Sequence, residues 1–322
     1  MRIRDLITMT TGHRKEPRLF DKKSHWVKAF LDSEIEFKPG THFQYNSAAT
    51  YMLSAILQSV TGERVVDYLE KRLFQPLEIK KPDWDISPEG ITTGGWGLRI
   101  TTEDIAKLGQ LYLQKGVWHG NRILSETWVQ EATSRQTSTG SNPENDWDQG
   151  YGYQFWRCRY NCYRGDGAFG QFCIVIPEHE AVVAITSGTN DMGAIMKAVW
   201  EILLPAMASE PIEPHSPTVQ ALARKLKNLK LPPVNGKSRS PMSKGLLQQK
   251  FQVLENAAGV HSVSFDLHGD DHRITVNMEH GIETLHLGSQ KYVRSEMKQD
   301  LPYTQNMSRK IGASGGWVKP DE

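Results

Sequence analysis

The stretch of sequence that decides the fold is KPGTHFQYNSAATYMLSAILQSVTG, residues 38–62. Apolar side chains recur in it at the spacing that puts them on one face of an α-helix. They are Ala49, Met52, Leu53, Ile56, Leu57 and Val60. Ser47 can cap the start of this helix, and Gly62 can end it. The spacing therefore predicts an amphipathic helix over residues 47–61.

Tyr45 lies just before this helix, after the Pro39-Gly40 turn and a short extended segment. A phenol at this point faces the helix N-terminus, where the positive end of the helix dipole favours phenolate character. A phenolate suits a general base. A tyrosine that precedes a helix also serves simply as a packing residue, so the residue alone leaves both interpretations open.

Further helices are predicted on either side of this one. Residues 4–9 form an amphipathic helical turn, and a helix through residues 65–73 stops before Pro76. Residues 101–104 form an N-cap signal for a third helix. Another helix covers about residues 125–134. The first part of the chain is therefore predicted to be mainly helical.

The periodicity changes to that of strands after residue 150. Aromatic side chains alternate with small or polar ones over residues 151–155, as in a strand. The continuous apolar runs 172–176 and 181–186 predict a hairpin of strands buried on both faces. Residues 192–207 predict a closing helix. Helices, antiparallel strands and a final helix predict an α+β domain, with an antiparallel sheet flanked by helices.

A domain boundary is expected near the prolines at positions 211, 214 and 217. We expect one domain over residues 1–208 and a linker with a smaller β-rich accessory domain over residues 209–322. A short helix at 219–229 precedes a meander of alternating apolar residues. These are Val263, Phe265, Leu267, Ile274, Val276, Met278, Leu285 and Leu287.

Composition excludes several classes of function. The 322 residues carry 38 Lys and Arg against 37 Asp and Glu, a formal net charge of +1, so no basic footprint for nucleic acid is present. No apolar run reaches the ~18 residues of a membrane span. The first residues lack the apolar core of a signal peptide, so we expect a cytoplasmic protein.

Cysteine and histidine positions offer weak metal-site signals. Cys158 and Cys162 could form a bridge or half of a metal site, but no second Cys/His pair follows. We therefore expect free thiols, no metal and no cofactor. His13 follows a glycine turn and could face a cleft, although a surface or loop-capping role is favoured. The segment His268-Gly269-Asp270-Asp271-His272 resembles a ligand cluster, but its glycine and aspartates favour a hairpin turn.

Two serine-nucleophile signatures occur in the sequence. The Gly-x-Ser-x-Gly pattern at residues 312–316 requires an acid and a histidine further along the chain, and no histidine follows. The Ser-x-x-Lys pattern puts a nucleophile and a base one helical turn apart. Its single match, Ser295 with Lys298, lies in a polar region without an apolar helix. We interpret both matches as coincidence.

Four segments, in the same order, resemble the serine β-lactamase and penicillin-binding-protein-like hydrolases, which include class C β-lactamases and their esterase and DD-peptidase relatives. Asp5–His13 is similar to the family's DLLTHTSG segment, and Pro39–Gly62 is similar to the Tyr-x-Asn box. Gly94–Leu98 with Thr101–Leu113 is similar to a GGL segment and the helix that follows it. Arg164–Gly170 lies at the position of the family's Lys-Thr-Gly or His-x-Gly motif. The resemblance covers about residues 1–205.

The resemblance implies roles for particular residues. Tyr45 would be the general base and acid that moves the nucleophile's proton, and Gly165-Asp166-Gly167 would be the third box. The backbone N–H of Ala168 would donate to the oxyanion, together with the nucleophile's own amide. The expected partner is a small-molecule or peptide-like acyl substrate that reacts through an acyl-serine intermediate. The sequence predicts no oligomeric state.

Three departures from the family pattern change the substrate and the activity that we expect. Ser47 replaces the substrate-holding Asn of the Tyr box. Gly165 stands where the family has Lys or His, and the carboxylate of Asp166 next to it would repel the carboxylate of a penicillin, which favours a neutral or amine-bearing ester or amide. The Ser-x-x-Lys helix should precede Asp5 by several tens of residues, yet only four residues precede it. We therefore expect a hydrolase domain that lacks this segment and is inactive as it stands; the alternative is a ligand-binding member of the fold.

Overall fold

The computed structural model describes residues 1–19, 25–208, 210, 215–247, 249–256, 259–268, 271–279, 281–297 and 310–319. The chain divides into two compact units, Met1–Ile212 and Glu213–Glu322. The first unit combines helices with antiparallel sheet, and the second is rich in strands. The predicted α+β class and the β-rich carboxyl-terminal part are therefore confirmed.

The helices of the first unit follow the predicted positions except for α2, which the sequence analysis does not predict. They are α1 (Ile3–Ile7), α2 (Trp26–Leu31), α3 (Ser47–Thr61), α4 (Val65–Leu69), α5 (Thr102–Leu113), α6 (Glu126–Thr133) and α7 (Met192–Ala198). Helix α4 continues as a π-helical turn over Glu70–Phe74. Helix α7 continues through a π-helical turn, Val199–Leu203, and a 3₁₀ turn, Leu204–Ala206. The long closing helix predicted over residues 192–207 is therefore one helical segment with three hydrogen-bonding patterns.

Short strands and one larger sheet complete the first unit. The strands are β1 (Asp83–Trp84), β2 (Leu98–Arg99), β3 (Val117–Trp118), β4 (Asn121–Arg122), β5 (Trp156–Arg157), β6 (Tyr163–Gly167), β7 (Gln171–Ile176) and β8 (Ala181–Ile185). Strands β5 to β8 form an antiparallel sheet in sequential order, and β1–β2 and β3–β4 are separate pairs. The predicted hairpin is β7–β8, in which Phe172 pairs with Ile185. Strand β7 is buried, whereas β8 is only half-buried.

The strand predicted over residues 151–155 is wrong. Tyr151 makes only isolated bridges, to Thr137 and Trp156. Gln154 has a φ of 63° and Gly150 one of 109°, so the left-handed backbone interrupts an extended chain. Tyr151 joins the core that contains α3, whereas Tyr153 packs on Trp128, and Phe155 packs on Tyr112 and Tyr163. Their alternation therefore reflects packing of an irregular segment.

Helix α3 is fixed at both ends. Its N-cap is Asn46, whose side-chain oxygen accepts a hydrogen bond from the Ala49 N–H at 3.0 Å. The predicted cap, Ser47, is instead the first helical residue, because the preceding asparagine already satisfies the free amide. Gly62, at φ 73°, ends the helix in the left-handed conformation as expected. The buried face packs with Trp26 and other aromatic residues of the core.

Helix α5 packs closely on the sheet. Thr101 and Asp104 form a reciprocal capping box at its start, as the sequence predicts. Gly109 faces the sheet, where an added methyl group would lie 2.5 Å from Cγ1 of Val182 and 2.8 Å from Sγ of Cys173. The absence of a side chain at this position therefore sets how closely the helix approaches β7 and β8.

The second unit contains α8 (Ser216–Lys227), α9 (Ser243–Leu246) and six strands. The strands are β9 (Lys250–Gln252), β10 (Val260–His268), β11 (Asp271–Met278), β12 (Gly281–Gly288), β13 (Val293–Glu296) and β14 (Lys310–Ala313). Strands β9 to β12 form an antiparallel sheet of sequential order, and β13 pairs with β14. The predicted meander is confirmed. His268 pairs with Asp271 across the β10–β11 hairpin, and residues 269–270 lie outside the described residues.

Two glycine-to-alanine variants test the packing of α5. In a free helix interior, alanine is favoured over glycine by up to about 1 kcal/mol. We expect Gly109→Ala to destabilise the fold by about 1–3 kcal/mol because it overpacks the helix–sheet contact. Gly193→Ala is the matched control, since Gly193 is an exposed helical glycine of α7 without such a contact; it should be neutral or stabilising in urea unfolding. Equal effects of the two variants would contradict this interpretation.

Candidate active site

The N-terminus of α3 is the point at which the four segments of the family resemblance approach one another. The first of them supplies His13, whose Nδ1 lies 2.8 Å from Oγ1 of Thr11 and whose Nε2 lies 2.7 Å from Oγ of Ser33. The Asn46 amide nitrogen lies 3.5 Å from the same Nδ1. His13 is buried, which excludes the surface alternative, and its contacts with the loop residues Thr11 and Ser33 and with the N-cap of α3 agree with the loop-capping alternative. Burial lowers the pKa of His13.

The glycine-rich segment packs against the first turns of the same helix. An added methyl group on Gly95 would lie 2.8 Å from the carbonyl oxygen of Ser47, and one on Gly94 would lie 3.0 Å from that of Thr50. The ring of Trp96 lies 5.8 Å from that of Trp26 in α2. Glycine at these positions therefore allows the chain to approach the start of α3 directly.

Tyr45 connects α3 to the main sheet. Its ring stacks on Trp156 with centroids 5.7 Å apart and an interplanar angle of 16°, and it meets Tyr151 edge-on at 6.4 Å. Trp156 lies in β5 and pairs with Arg164 in β6. The Tyr45 side chain retains an exposed edge, with 37% of the residue accessible. The tyrosine is therefore adjacent to the strand of the third box and is still open to a ligand.

A buried ion pair lies beneath this aromatic stack. The Arg164 side chain has no exposed surface, and its Nη2 and Nε donate to Oδ2 of Asp166 at 3.1 and 3.2 Å. Trp147 Nε1 donates to the same oxygen at 3.1 Å. The guanidinium lies 4.7 Å from the Trp147 ring and 5.7 Å from the Trp156 ring. The cation at this site is thus supplied by Arg164, two residues before Asp166.

The surroundings of Asp166 differ from the sequence expectation, which was an unpaired carboxylate facing the substrate. Only 8% of its side chain is exposed, and Arg164 balances its charge. Burial raises the pKa of the Asp166 carboxyl, opposed by Arg164 and by the indole N–H groups of Trp147 and Trp156. Repulsion of a substrate carboxylate is therefore weaker than the sequence alone suggests.

Tyr45 does not have the phenolate character expected from the helix dipole. Burial raises the pKa of Tyr45 to about 12, and the negative charges of Asp166 and Glu16 add to the shift. Oε1 of Glu16 accepts from the backbone N–H of Ser47 at 2.6 Å and from that of Ala48 at 3.2 Å. A carboxylate therefore already lies at the positive end of α3. With this pKa, the phenol is protonated at neutral pH and can donate a hydrogen bond.

Glu16 is the site residue that sequence reasoning missed. It precedes the helix that it caps by more than thirty residues, so no local pattern connects the two. A carboxylate at a helix N-terminus is favourable, but many acidic residues of the chain could fill that position. The contact depends on the fold that brings the loop after His13 to α3.

The end of β6 contains the residues that the family resemblance assigns to the third box. Gly165 lies between Arg164 and Asp166 and so faces the opposite side of the strand, where an added methyl group would meet nothing within 4 Å. Ala168 follows the last residue of the strand, Gly167, and is exposed. Its backbone N–H has no hydrogen-bond partner among the described residues. Its carbonyl accepts from Nε2 of Gln171 at 3.2 Å.

The remaining sequence signals do not form a nucleophile site in the described residues. Ser295 lies in strand β13, not on a helix, and Lys298 lies outside the described residues. Ser314 follows β14 and donates from Oγ to the Gly288 carbonyl at 3.2 Å. The three cysteines are free and buried. Ser47 has no hydrogen bond from its hydroxyl group to any described residue.

No group of three or more His, Cys, Asp and Glu side chains within the described residues could hold a metal ion. None of the helices in the described ranges combines the length and the apolar character that crossing a bilayer requires.

Comparison with known proteins identifies relatives of the first unit. A sequence model of the Beta-lactamase family matches residues 1–204. The chain is 29% identical over 156 residues to the 6-aminohexanoate-dimer hydrolase of Paenarthrobacter ureafaciens. The aligned segment covers 46% of this chain and 40% of that protein. It is 25% identical over 249 residues to penicillin-binding protein 4 of Amycolatopsis lactamdurans, covering 63% and 64% respectively. The chain thus spans less than two thirds of the length of each relative.

Solved structures agree at the level of the fold. A putative 6-aminohexanoate-dimer hydrolase from Bacillus anthracis superposes with a TM-score of 0.53 at 18% identity, covering 62% of this chain and 60% of that one. The SurE crystal structure superposes with a TM-score of 0.52 at 16% identity, covering 98% of this chain and 72% of that one. At such identities the similarity indicates a shared fold.

The electrostatic role of Glu16 can be measured directly. Glu16→Gln keeps an oxygen that can accept from Ser47 and removes the negative charge. We expect the pKa of Tyr45 to fall below about 12 but to stay above its ordinary value of about 10, because burial, the largest cause, remains. Near-ultraviolet difference titration against the corresponding Tyr45→Phe protein reports this pKa. Glu63→Gln is a control at an exposed loop, and an unchanged Tyr45 pKa in Glu16→Gln would contradict the assignment.

Proposed function

The chain belongs to the beta-lactamase family, and from this premise we propose that Tyr45 and residues 165–168 form the proton-transfer and oxyanion-binding part of a serine-hydrolase site. The substrate of such a site is an ester, amide or β-lactam that reacts through an acyl-serine intermediate. The observation that carries the proposal is the stack of Tyr45 on Trp156. It supports the proposal because the strand of Trp156 pairs with β6, which leads to Ala168.

The proposed chemistry assigns one task to each group. The exposed N–H of Ala168 would donate a hydrogen bond to the oxyanion that develops on the substrate carbonyl. The open space beside Gly165 would admit the substrate along the edge of β6. As the serine oxygen bonds to the carbonyl carbon, the serine proton would pass to the Tyr45 oxygen, and Tyr45 would then donate a proton to the departing oxygen or nitrogen as its bond to that carbon breaks. Accepting the serine proton requires the Tyr45 phenolate, which a nearby cation would stabilise, but the Arg164 guanidinium is bound to Asp166.

The charges around Tyr45 favour a neutral or amine-bearing substrate. Asp166 and Glu16 both act on the Tyr45 hydroxyl as negative charges. The faces of Tyr45 and Trp156 would contact the apolar part of a substrate, and an amine would be attracted to the exposed carboxylate of Glu16, since Arg164 balances the charge of Asp166. One relative of the chain is named for the hydrolysis of a 6-aminohexanoate dimer. A linear amide that carries an amine is therefore the first substrate class to test.

The second candidate function is ligand binding without turnover. The 322 residues contain one Ser-x-x-Lys pattern, and its serine lies in a strand of the second unit. The high pKa of Tyr45 is also unfavourable for a general base at neutral pH. We therefore propose that these 322 residues by themselves bind an acyl substrate without becoming acylated.

Covalent labelling combined with ligand binding tests both candidates. Incubation with a fluorophosphonate and with a fluorescent penicillin, followed by intact mass, should give no adduct. The linear 6-aminohexanoate dimer should nevertheless quench tryptophan fluorescence. We expect about tenfold weaker binding for Tyr45→Ala, a loss of ~1.4 kcal/mol, and a smaller loss for Tyr45→Phe, which keeps the ring stack. Tyr160→Phe, at an exposed tyrosine away from the stack, is the control.

Adduct formation and ligand binding distinguish an error about the nucleophile from an error about the binding site. A stoichiometric adduct would show that a serine of this chain is the nucleophile, and peptide mapping would identify it. The absence of both an adduct and Tyr45-dependent binding would contradict the proposed site.

A further inference from the structure

Helix α8 presents an unpartnered apolar stripe. Val219, Leu222 and Leu226 recur at i, i+3 and i+7 on one face of the helix, and Leu229 lies one turn further along. Their exposed fractions are 48%, 55%, 57% and 65%. Every residue from 217 to 232 is exposed, so the described residues of its unit leave the apolar stripe of α8 largely uncovered. A helix of twelve residues is marginal alone in water, and the exposed stripe therefore requires a partner.

The charge around the stripe defines the chemistry of that partner. Residues 214–254 contain no Asp or Glu, whereas they contain eight cations. The cations are Arg224, Lys225, Lys227, Lys230, Lys237, Arg239, Lys244 and Lys250. At about 3.6 residues per turn, Lys225 and Lys227 lie on either side of the apolar stripe, and Arg224 lies on the face away from it. The complementary surface is therefore apolar with negative charges along both edges.

We propose that α8 lies on the surface of an anionic lipid bilayer. The stripe (Val219, Leu222, Leu226 and Leu229) would enter the boundary between headgroups and acyl chains, with the helix axis in the membrane plane. The flanking lysines would extend their apolar stems along that boundary and reach the lipid phosphates with their ammonium groups. A bilayer accepts this pattern without a shaped pocket, whereas an acidic protein would need one. The length of α8 suits a helix that lies on the membrane.

The basic segment beyond α8 would add to the attraction. Each cation close to an anionic membrane strengthens binding by about fivefold, and the effect decreases within a Debye length as salt is added. The rest of the second unit has a smaller excess, because residues 213–322 as a whole carry fifteen Lys and Arg against eleven Asp and Glu. The cations are thus concentrated beside the apolar stripe.

Vesicle co-sedimentation of the full 322-residue chain tests the proposal. We expect binding to vesicles of phosphatidylglycerol mixed with phosphatidylcholine, and much weaker binding to phosphatidylcholine alone. Leu222→Gln with Leu226→Gln should weaken binding at least about tenfold, and Lys225→Gln with Lys227→Gln should weaken it by about fivefold per cation. Ala221→Gln, on the polar side of α8, is the matched control and should bind as the unmodified chain does.

The outcomes that would overturn the proposal are equally specific. Failure to sediment with anionic vesicles would exclude it, and a chain that self-associates or binds an acidic protein without binding vesicles would assign the stripe to that partner instead. Equal binding of the double leucine variant and the unmodified chain would also overturn it. All of these positions are exposed, so an unchanged thermal unfolding midpoint shows that a loss of binding does not come from loss of the fold.

Discussion

The buried guanidinium of Arg164 is the constraint on which the rest of the site depends. A charged side chain without exposed surface is tolerated only when its donors are satisfied. Arg164 donates to Asp166, to the Asp146 carbonyl and to Sγ of Cys158, and its plane lies beside two indole rings. These contacts fix β6, β5 and the loop of Trp147 relative to one another. The position of Trp156, and with it that of Tyr45, follows from them.

Helix α3 completes the arrangement from the other side. Asn46 and Glu16 satisfy the free amides of its first turn, and His13 supports Asn46 from the loop before it. Tyr45 is the residue between this cap and the indole of Trp156. The pKa of Tyr45 is therefore raised by carboxylates from two parts of the fold, because Glu16 belongs to the helix cap and Asp166 to the sheet. Of the two carboxylates, the exposed Glu16 underlies the proposed preference for amine-bearing substrates.

Local patterns predicted much of the fold. The apolar periodicity of residues 47–61, the capping box at Thr101 and the runs of the β7–β8 hairpin all depend on residues close in sequence, and the structure confirms them. The strand expected at residues 151–155 was wrong because aromatic alternation also arises in an irregular segment that packs on a helix. The cap of α3 was misplaced by one residue because Asn46 and Ser47 are both good caps.

The site was less predictable because its contacts join distant parts of the chain. The family resemblance pointed to Tyr45, Asp166 and Ala168, but the sequence did not indicate that Arg164 balances Asp166. It also gave no sign of the carboxylate of Glu16 at the helix N-terminus. Each of these contacts depends on which side of a strand or loop a residue faces after folding. These contacts determine the charge of the site. The sequence expectation and the structure differ in this charge.

A double-mutant cycle on Arg164 and Asp166 tests the central claim that this ion pair holds the site together. Urea unfolding would compare Arg164→Met, Asp166→Leu and the combined variant with the unmodified chain. Each single change should cost about 3–5 kcal/mol, because it leaves a buried charge without its partner. The combined variant should cost clearly less than the two single costs together, since no unpaired charge remains. Single effects that add within about 0.5 kcal/mol would show that the two side chains act independently and would contradict the account.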